Sequence, residues 1–245
     1  MRMTDSPVWL ITGASRGIGA AMARQAHEHG CRVAIVARSD AADALAISLG
    51  EGAIAVRADV SNSASARSAV DQTIEAFGRL DVVVNNAGVH RGGRVTRLSE
   101  EHWQEVLDVN LTGALNVIRA ATPHLGEGAS IINIGAVVGF RGFPGDVAYA
   151  SSKAGLSGMT KALSIELARK GITVNLVVPG LVLTEMTSGL TEAAMETMRQ
   201  QIPIGRLGQE QEIASVAYWV AQSRYMTGAT IPVDGGLLCS FGVVG

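Results

Sequence analysis

Cysteine, aromatic residues and long apolar runs are scarce in this sequence. Of its 245 residues two are cysteines, Cys31 and Cys239, and 4% are aromatic. Two cysteines so far apart predict neither a disulfide framework nor a metal site, so we expect two reduced thiols. No apolar run approaches the roughly 20 residues that a membrane span needs, and the N-terminal MRMTDSP lacks the apolar segment of a signal peptide. We therefore expect a cytoplasmic protein.

An excess of positive charge is also missing. Lysine and arginine number 20 against 22 acidic residues, for a net charge of −2, and the charges are interspersed. Without a basic stripe we expect no nucleic-acid partner. The hydrophobic share of 47% is enough for one globular domain with a sizeable core. No internal repeat, low-complexity tract or Pro-rich linker marks a boundary, so we expect one domain over residues 1–245.

Short β-rich apolar runs alternate with helical patterns, which predicts an α/β fold with a parallel sheet covered by helices on both faces. The seven predicted strands are Val8–Ile11, Arg32–Val36, Ala53–Arg57, Asp81–Asn85, Ser130–Ile134, Thr173–Val178 and Thr230–Val233. Several helical segments end at a glycine that can adopt a left-handed cap conformation, namely Gly30, Gly50, Gly78 and Gly171. The irregular stretch 185–208 is predicted to be a lid over a pocket, or else an excursion between the sixth strand and the next helix.

A glycine-rich turn, TGASRGIG at residues 12–19, follows the first predicted strand. A helix is predicted to begin there, where glycines let the backbone approach a pyrophosphate and the N–H groups of the first helical turn bind its charge. A strand-to-helix turn without a ligand also fits three glycines. Their GxxxGxG spacing differs from the GxGxxG of the usual dinucleotide fingerprint.

Tyr149 and Lys153 are four residues apart in the sequence YASSK. One helical turn separates them, so both project from the same face, where an ammonium stabilises a phenolate. An unperturbed tyrosine has a pKa of about 10, so acid–base chemistry near neutrality favours a lowered value, and we expect Lys153 to lower the pKa of Tyr149. In isolation, an exposed helical Tyr and Lys is the plainer interpretation.

Taken in order, these motifs make the sequence resemble the short-chain dehydrogenase/reductase family over essentially its whole length. The motifs are TGASRGIG, Asp59 followed by Val60, NNAG at 85–88, Asn110, YASSK, and PG at 179–180. GRLG at 205–208, EIA at 212–214 and the closing VDGG resemble the 3-oxoacyl-acyl-carrier-protein reductase branch, although many sugar, alcohol and steroid dehydrogenases share them. The resemblance implies a Rossmann-type doubly wound sheet and reduction of a ketone with a nicotinamide cofactor.

The resemblance also implies roles for individual residues. Tyr149 donates the proton, Lys153 assists it and holds the nicotinamide ribose, and Asn110 holds a water that links Lys153 to solvent. The residues implied in cofactor binding are Gly13, Ser15, Arg16, Gly17, Ile18, Gly19, Arg38, Asp59, Val60, Asn86, Ala87, Gly88, Tyr149, Lys153, Pro179, Gly180, Val182 and Thr184. The resemblance further implies a homotetramer that uses the helix 101–122 and the helix carrying Tyr149.

Charge at the end of the second strand favours NADP(H). An NAD-selective site places an acidic residue there for the ribose 2′-hydroxyl, whereas this sequence reads VARS. Arg38, together with Arg16 in the glycine loop, suits a 2′-phosphate. The alternative is that Arg38 points to solvent, as surface arginines commonly do.

One position departs from the family pattern. Ala136 stands where the family normally has a serine whose hydroxyl holds the substrate carbonyl, and the loss of one such donor costs about 10² to 10³ in turnover. Three explanations stay open: an introduced substitution that traps substrate, a natural residue with another group compensating, or an NADP-binding protein that does not turn over. Neither Ser151, Ser152 nor Asn133 is an obvious replacement.

The substrate that we expect is a 3-oxoacyl thioester or a related small carbonyl. The alternatives are an alcohol, a sugar or a steroid, or no substrate at all. A carrier-protein partner is in doubt because His124 and Glu127 stand where basic residues are expected, although Lys170 is basic. An apolar pocket could be lined by Val137, Val138, Phe140, Phe143 and the segment around Met186, or these could be core or subunit-contact residues. His90 and Arg91 are predicted either to meet a polar substrate end or to be solvated.

Overall fold

Seven parallel strands form a single sheet in this computed structural model, which describes residues 6–183 and 191–240. The strands are β1 (Val8–Thr12), β2 (Arg32–Ala37), β3 (Ala53–Arg57), β4 (Leu80–Asn85), β5 (Leu125–Ile134), β6 (Thr173–Pro179) and β7 (Thr230–Val233). Their order across the sheet is β3-β2-β1-β4-β5-β6-β7. All seven predicted strands are confirmed, and the largest difference is that β5 begins at Leu125 rather than at Ser130.

Helices cover both faces of this sheet. They are α1 (Gly17–Glu28), α2 (Ala41–Leu49), α3 (Ser63–Phe77), α4 (Glu100–Leu107), α5 (Gly113–Ala121), α6 (Val138–Arg141), α7 (Val147–Leu167), α8 (Glu192–Gln201) and α9 (Glu210–Gln222). Ile11 of β1 packs on one face with Met22 of α1 and Ile213 of α9. Leu10 packs on the opposite face with Val70 of α3. Neighbouring residues of one strand thus enter different cores, which is why the strands read as continuous apolar runs.

The strand order reverses beside β1. β1 pairs with β2 through Thr12 and Val36, and with β4 through Ile11 and Val84. In open parallel sheets of this kind, ligands bind outside the carboxyl ends of the strands where the order reverses. The glycine-rich loop after β1 and the NNAG segment that ends β4 therefore meet at the expected binding crevice.

Glycines end several helices as predicted, with one difference. Gly78 after α3 has φ 75° and ψ −3°, a left-handed cap. Gly171 also adopts the left-handed conformation, and Gly30 has φ 77°. Gly50 has φ 79° but ψ −143°, so the predicted left-handed cap is wrong there. Gly50 instead begins the extended approach to β3, a conformation that glycine alone adopts readily.

The stretch predicted as a lid leaves the sheet after β6 and returns before α9. Residues 184–190, which include Met186, lie outside the described residues, and α8 occupies part of the remainder. A bridge between Val182 and Gly208 joins the two ends of the excursion. Its function as a lid stays a prediction.

Two further expectations concern the thiols and membrane spans. Cys31 is buried and Cys239 exposed, and both are free thiols, as predicted. Among the described residues, no helix combines the length and apolar character needed to cross a membrane.

Candidate active site

The glycine-rich loop is tied to the loop that follows β4. The hydroxyl of Thr12 accepts hydrogen bonds from the backbone amides of Asn86 at 3.0 Å and Ala87 at 3.1 Å. The side-chain amide of Asn86 donates to the carbonyl oxygens of Thr12 and Gly13, both at 3.0 Å. Asn86 therefore fixes the loop. Thr12 is a positioning residue that sequence reasoning missed, although it opens the TGASRGIG motif.

Glycines make this loop a cradle that a side chain would fill. Gly13 has φ 63°, and a Cβ there would lie 2.7 Å from the Cα of Ala87. A Cβ on Gly19 would collide with the carbonyl oxygen of Gly13. Helix α1 begins at Gly17, and its N-cap residue is Arg16, whose guanidinium has no acceptor for the amides of the first turn. These amides and the open backbone fit a diphosphate group. The other two predicted loop residues, Ser15 and Ile18, are both partly buried.

Charged side chains surround the ends of β2 and β3. The side chain of Arg38 is 59% exposed, and its Nη1 lies 4.0 Å from a carboxylate oxygen of Asp59. That carboxylate accepts hydrogen bonds from the amide of Ser61 at 3.0 Å and from its hydroxyl at 2.7 Å. The hydroxyl of Ser61 is the main cause that lowers the pKa of Asp59. Asp59 thus shapes its own turn, and Val60 is buried. The cofactor contacts implied for both residues stay predictions.

The segment after β6 is tightly packed. The amide of Gly180 donates to the carbonyl of Val233 at 3.0 Å, and a Cβ on Gly180 would lie 2.6 Å from the Cα of Asp234. Val182 is 5% exposed within the core, so any cofactor contact must come from its backbone. Pro179 ends β6, and Thr184 lies outside the described residues.

Asn110 lies in a π-helical turn, Asp108–Thr112, which interrupts the predicted helix 101–122. Its side-chain oxygen accepts from the amide of Val89 at 2.8 Å, and its amide donates to the carbonyl of Val89 at 3.0 Å. The same amide lies 3.1 Å from the hydroxyl of Ser152 on α7. Single π-turns recur at functional sites because they redirect a side chain. Here the turn directs Asn110 between the loop after β4 and α7, and the predicted water stays a prediction.

The ammonium of Lys153 is buried beside this network. Its Nζ donates to the carbonyl oxygen of Ile134 at 2.8 Å and lies 5.6 Å from the centroid of the Tyr149 ring. A Cβ on Gly88 would lie 3.7 Å from this Nζ and 3.4 Å from the side-chain oxygen of Asn110. Burial lowers the pKa of Lys153 to about 8. The structure therefore brings together Tyr149, Lys153, Asn110 and Gly88, as the sequence predicted.

The expected lowering of the Tyr149 pKa is wrong in this structure. Burial raises the pKa of Tyr149 to about 12, and the charge of Asp146 adds to the effect. Lys153 does not reverse this, because its ammonium donates to Ile134 and is itself disfavoured by burial. A phenol with such a pKa keeps its proton near neutrality. It therefore has a proton to donate to an oxygen that becomes an anion in the reaction, but as a weaker acid than a phenol of ordinary pKa.

Ala136 lies two residues after Ile134, the end of β5, and its side chain has no polar atom, so its role opposite the substrate stays a prediction. Its carbonyl oxygen accepts from the amide of Gly139 at 3.0 Å as α6 begins. The hydroxyl of Ser152 donates to the carbonyl of Tyr149 at 2.7 Å, and the amide of Asn133 donates to the hydroxyl of Thr160 at 2.9 Å. Ser152 and Asn133 are thus engaged elsewhere. Ser151 is exposed, and it lines the groove described below.

A second cluster beside Tyr149 was not identified from the sequence. The Nε2 of His90 lies 2.8 Å from a carboxylate oxygen of Asp146, and the rings of His90 and Tyr149 meet at 83° with centroids 5.1 Å apart. Arg91 forms an ion pair with Glu105, with Nε and Oε2 at 2.8 Å, so it is not simply solvated. The sequence signal for this cluster is the position of Asp146, three residues before Tyr149 and at the N-cap of the same helix.

A groove of about 410 Å³ opens next to this cluster. Its walls include Arg94, Val95, Phe143, Val147 and Ser151. The amide of Gly93 donates to the carbonyl of Gly145 at 2.8 Å and closes one end. Of the predicted pocket residues, Phe143 lines the groove. Val137 is 6% exposed in the core, which confirms the alternative that it is a core residue.

Comparisons with known proteins agree over nearly the whole chain. A family model described as Enoyl-(Acyl carrier protein) reductase matches residues 13–238. The 3-oxoacyl-(acyl-carrier-protein) reductase FabG of Staphylococcus aureus is 40% identical over 246 residues, which covers 97% of this chain and 99% of that protein.

Solved structures also match nearly the whole chain. A blue fluorescent protein from a metagenomic library in complex with NADPH is 34% identical with a TM-score of 0.91, over 96% of this chain and 99% of its own. A short-chain dehydrogenase/reductase from Brucella melitensis, described as a glucose/ribitol dehydrogenase, is also 34% identical with a TM-score of 0.91. The match covers 94% of this chain and 96% of that structure.

Proposed function

The chain belongs to the short-chain dehydrogenase/reductase family and is an oxidoreductase with a nicotinamide cofactor, and from this premise we propose that it reduces a ketone to a secondary alcohol with NADPH. The observation that carries the proposal is the cluster of Tyr149, Lys153 and Asn110 beside the glycine cradle. A proton donor and a diphosphate site at one crevice are what hydride transfer to a carbonyl requires.

The proposed reaction uses few side chains. When held in the glycine cradle, a nicotinamide cofactor would supply the hydride that the carbonyl carbon accepts. The phenol of Tyr149 donates its proton to the carbonyl oxygen, so the substrate gains two hydrogens and Tyr149 becomes a phenolate. Lys153, with its Nζ 5.6 Å from the phenol ring centroid, stabilises this charge. The bonds that Asn110 makes to Val89 and Ser152 hold α7 against the loop after β4 while this happens.

Ala136 removes one donor from this reaction. A hydroxyl at this position would bind the carbonyl oxygen as negative charge develops on it, and such a donor contributes about 10² to 10³ in rate. We propose a slow reductase rather than an inactive one, because Tyr149, Lys153 and Asn110 are all present. Whether the alanine is natural or introduced does not alter this expectation.

The proposed substrate is a 3-oxoacyl thioester or a related small carbonyl. Its support is the similarity to FabG of Staphylococcus aureus together with the groove, where Val95, Phe143 and Val147 offer apolar contacts. Delivery by a carrier protein stays open, because both His124 and Glu127 are exposed where basic residues were expected. Rates with an acetoacetyl group on coenzyme A and on an acyl carrier protein distinguish the two forms.

NADP(H) is the proposed cofactor, rather than NAD(H). Its support is Arg38, which is exposed directly after β2. Arg16 lies at the start of α1, in the glycine-rich loop that follows the neighbouring strand β1. The nearby carboxylate of Asp40 forms an ion pair with Arg57, so its charge is partly offset. The NADPH complex among the similar structures is consistent with this choice.

Two other activities are worth measuring. The similarity to a structure described as a glucose/ribitol dehydrogenase favours oxidation of a sugar alcohol as the second candidate. The family model's description makes an enoyl thioester a necessary member of the panel. A non-catalytic NADP-binding protein is the third possibility, and it predicts NADPH binding without turnover in any version of the chain.

A homotetramer remains our proposal for the assembly. The predicted helix 101–122 is observed as α4, the π-turn and α5, next to α7. Ile165 on α7 is 79% exposed, which is consistent with a subunit contact there. Light scattering on the purified chain tests this, and a monomeric mass contradicts it. The small-molecule partner and the cytoplasmic location likewise stay predictions.

A further inference from the structure

Asp146 occupies the N-cap of α7 but does not cap it. An Asp at this position ordinarily accepts bonds from amides in the first helical turn. Here its side chain accepts none from the described amides of that turn, and it lies 2.8 Å from the Nε2 of His90 instead. The side chain of Asp146 is 16% exposed and that of His90 is 37% exposed, so the contact is partly shielded from water. The carboxylate is therefore committed to a residue 56 positions earlier in the chain.

The contact determines how His90 is oriented. A carboxylate only accepts hydrogen bonds, so the Nε2 of His90 carries the hydrogen. The ring is held perpendicular to the phenol of Tyr149, at 83° and 5.1 Å between centroids. A Cβ on Gly92 would lie 3.3 Å from the Cε1 of His90, so the imidazole is confined on that side as well. Asp146, His90 and Tyr149 thus form one packed cluster.

The charge of Asp146 acts on the phenol of Tyr149. A negative charge nearby opposes the phenolate that forms when Tyr149 gives up its proton. Asp146 is one of the two causes that raise the pKa of Tyr149, after burial. The Nε2–H of His90 points at this carboxylate and offsets part of its charge. His90 therefore influences Tyr149 twice, through the ring contact and through the charge of Asp146.

We propose that His90 and Asp146 are a positioning pair for Tyr149, in which the imidazole fixes the plane of the phenol and balances the carboxylate that opposes its ionisation. The kinetic consequence rests on the proposed ketone reduction, whereas the effect on the phenol does not. With alanine at position 136, Tyr149 is the donor to the carbonyl oxygen in the proposed reaction. Its orientation then limits the rate more than it would beside a second donor.

Other charged groups around the cluster are also accounted for. Lys153 lies on α7, and its Nζ is 5.6 Å from the centroid of the Tyr149 ring. Arg91 donates to the carbonyl of His90 at 3.3 Å and pairs with Glu105 of α4. Arg94 lines the neighbouring groove. Glu105→Gln therefore serves as a matched control, since it removes a neighbouring carboxylate that is not in contact with Tyr149.

The first test follows the phenol directly by ¹³C NMR of the full chain labelled at tyrosine Cζ, with Tyr149→Phe to assign the signal. Asp146→Asn removes the opposing charge, so Tyr149 is expected to titrate at lower pH than in the wild type. His90→Phe leaves the carboxylate unbalanced, so Tyr149 is expected to titrate at higher pH. Glu105→Gln is expected to leave the titration unchanged. Each series is read up to the pH at which the amide spectrum shows unfolding.

Opposite shifts of the Tyr149 titration in Asp146→Asn and His90→Phe support the pair, because a purely structural role does not predict shifts of opposite sign. Shifts in the same direction, or none in Asp146→Asn relative to Glu105→Gln, overturn it. If Tyr149 in the wild type does not titrate before unfolding, the proposal requires Asp146→Asn to bring it into range. His90→Gln covers the case in which His90→Phe fails to fold. Gln can still donate to Asp146, so the titration is expected to stay near that of the wild type.

The second test separates kcat from KM for ketone reduction. Loss of the ring contact in His90→Gln, and loss of the bond to Asp146 that orients the ring in His90→Phe, are each expected to lower kcat by about 10-fold to 100-fold with little change in KM. An unchanged kcat contradicts the positioning role. If no version of the chain, including Ala136→Ser, reduces any ketone, then the proposed function fails, while the NMR titration still decides whether the pair acts on Tyr149.

Discussion

The ammonium of Lys153 donates a 2.8 Å hydrogen bond to the carbonyl oxygen of Ile134, the last residue of β5. This bond fixes α7 against the end of the sheet and places Lys153 next to the ring of Tyr149. It also buries a charge, because Lys153 is 4% exposed. Burial of this ammonium therefore lowers the stability of the fold, by an amount that depends on pH.

Lys153→Met is expected to change how stability depends on pH. Burial lowers the pKa of Lys153 from 10.5 to about 8. Between these values the unfolded chain binds more protons than the folded chain, so this group makes the free energy of unfolding rise with pH. We expect the wild type to gain roughly 3 kcal/mol relative to Lys153→Met across that window. Urea denaturation at several pH values measures it, with exposed Lys161→Met as control. If the free energies of unfolding of the wild type and of Lys153→Met change with pH in parallel, the prediction is contradicted.

Asn110→Ala is expected to reduce both stability and activity. It leaves the part-buried amide and carbonyl of Val89 without their partner, at a cost of about 1 to 3 kcal/mol for each group that stays unpaired, while the hydroxyl of Ser152 keeps its bond to Tyr149. Asn175→Ala is the matched control. Its amide donates to the carbonyl of Met226 at 2.7 Å, far from the crevice, so it should lose stability and keep its kcat once folded. Equal effects of both variants on kcat argue against the assigned role of Asn110.

Arg38→Ala is expected to weaken NADPH binding selectively. A charged hydrogen bond to a 2′-phosphate is worth about 1.5 to 3 kcal/mol, so the preference for NADPH over NADH should fall by roughly 10-fold to 100-fold. Fluorescence titration with both cofactors measures the ratio. Arg67→Ala removes the same charge from the exposed side of α3 and should leave the ratio intact. An unchanged ratio in Arg38→Ala means that Arg38 points to solvent.

Gly19→Ala is expected to abolish cofactor binding. The added Cβ would lie 2.6 Å from the side-chain amide of Asn86 and would collide with the carbonyl of Gly13, so the cradle must open. In Gly158→Ala on α7, no atom lies within 4 Å of the added Cβ. This control should bind NADPH normally and gain about 0.5 to 1 kcal/mol in stability. Tight NADPH binding by Gly19→Ala refutes the cradle.

The sheet could be predicted from the sequence because parallel strands buried on both faces appear as continuous apolar runs. The exception is the start of β5. Gly126, Glu127 and Gly128 are typical of a turn, yet Leu125 pairs with Leu80 across an irregularity in the register. Such pairing depends on the neighbouring strand, which a local pattern does not contain.

The members of the site could also be predicted, but not their electrostatics. The motif spacing identified Tyr149, Lys153 and Asn110, which the fold brings together. The sequence predicted a lowered pKa for Tyr149, and this prediction was wrong. The direction of the shift depends on how deeply the phenol is buried and on where the ammonium of Lys153 lies, which the sequence does not contain. The contact between His90 and Asp146 was missed because it joins residues 56 positions apart, and neither belongs to a motif.

The measurement that tests the central claim most directly is NADPH oxidation with an acetoacetyl thioester and a panel of small ketones, comparing the chain with Ala136→Ser. We expect a slow rate that rises by about 10² in the serine version, because one donor to the carbonyl oxygen is restored. Equal and substantial rates contradict the claim that a donor is missing. No rate in either version, despite NADPH binding, contradicts the proposed ketone reductase.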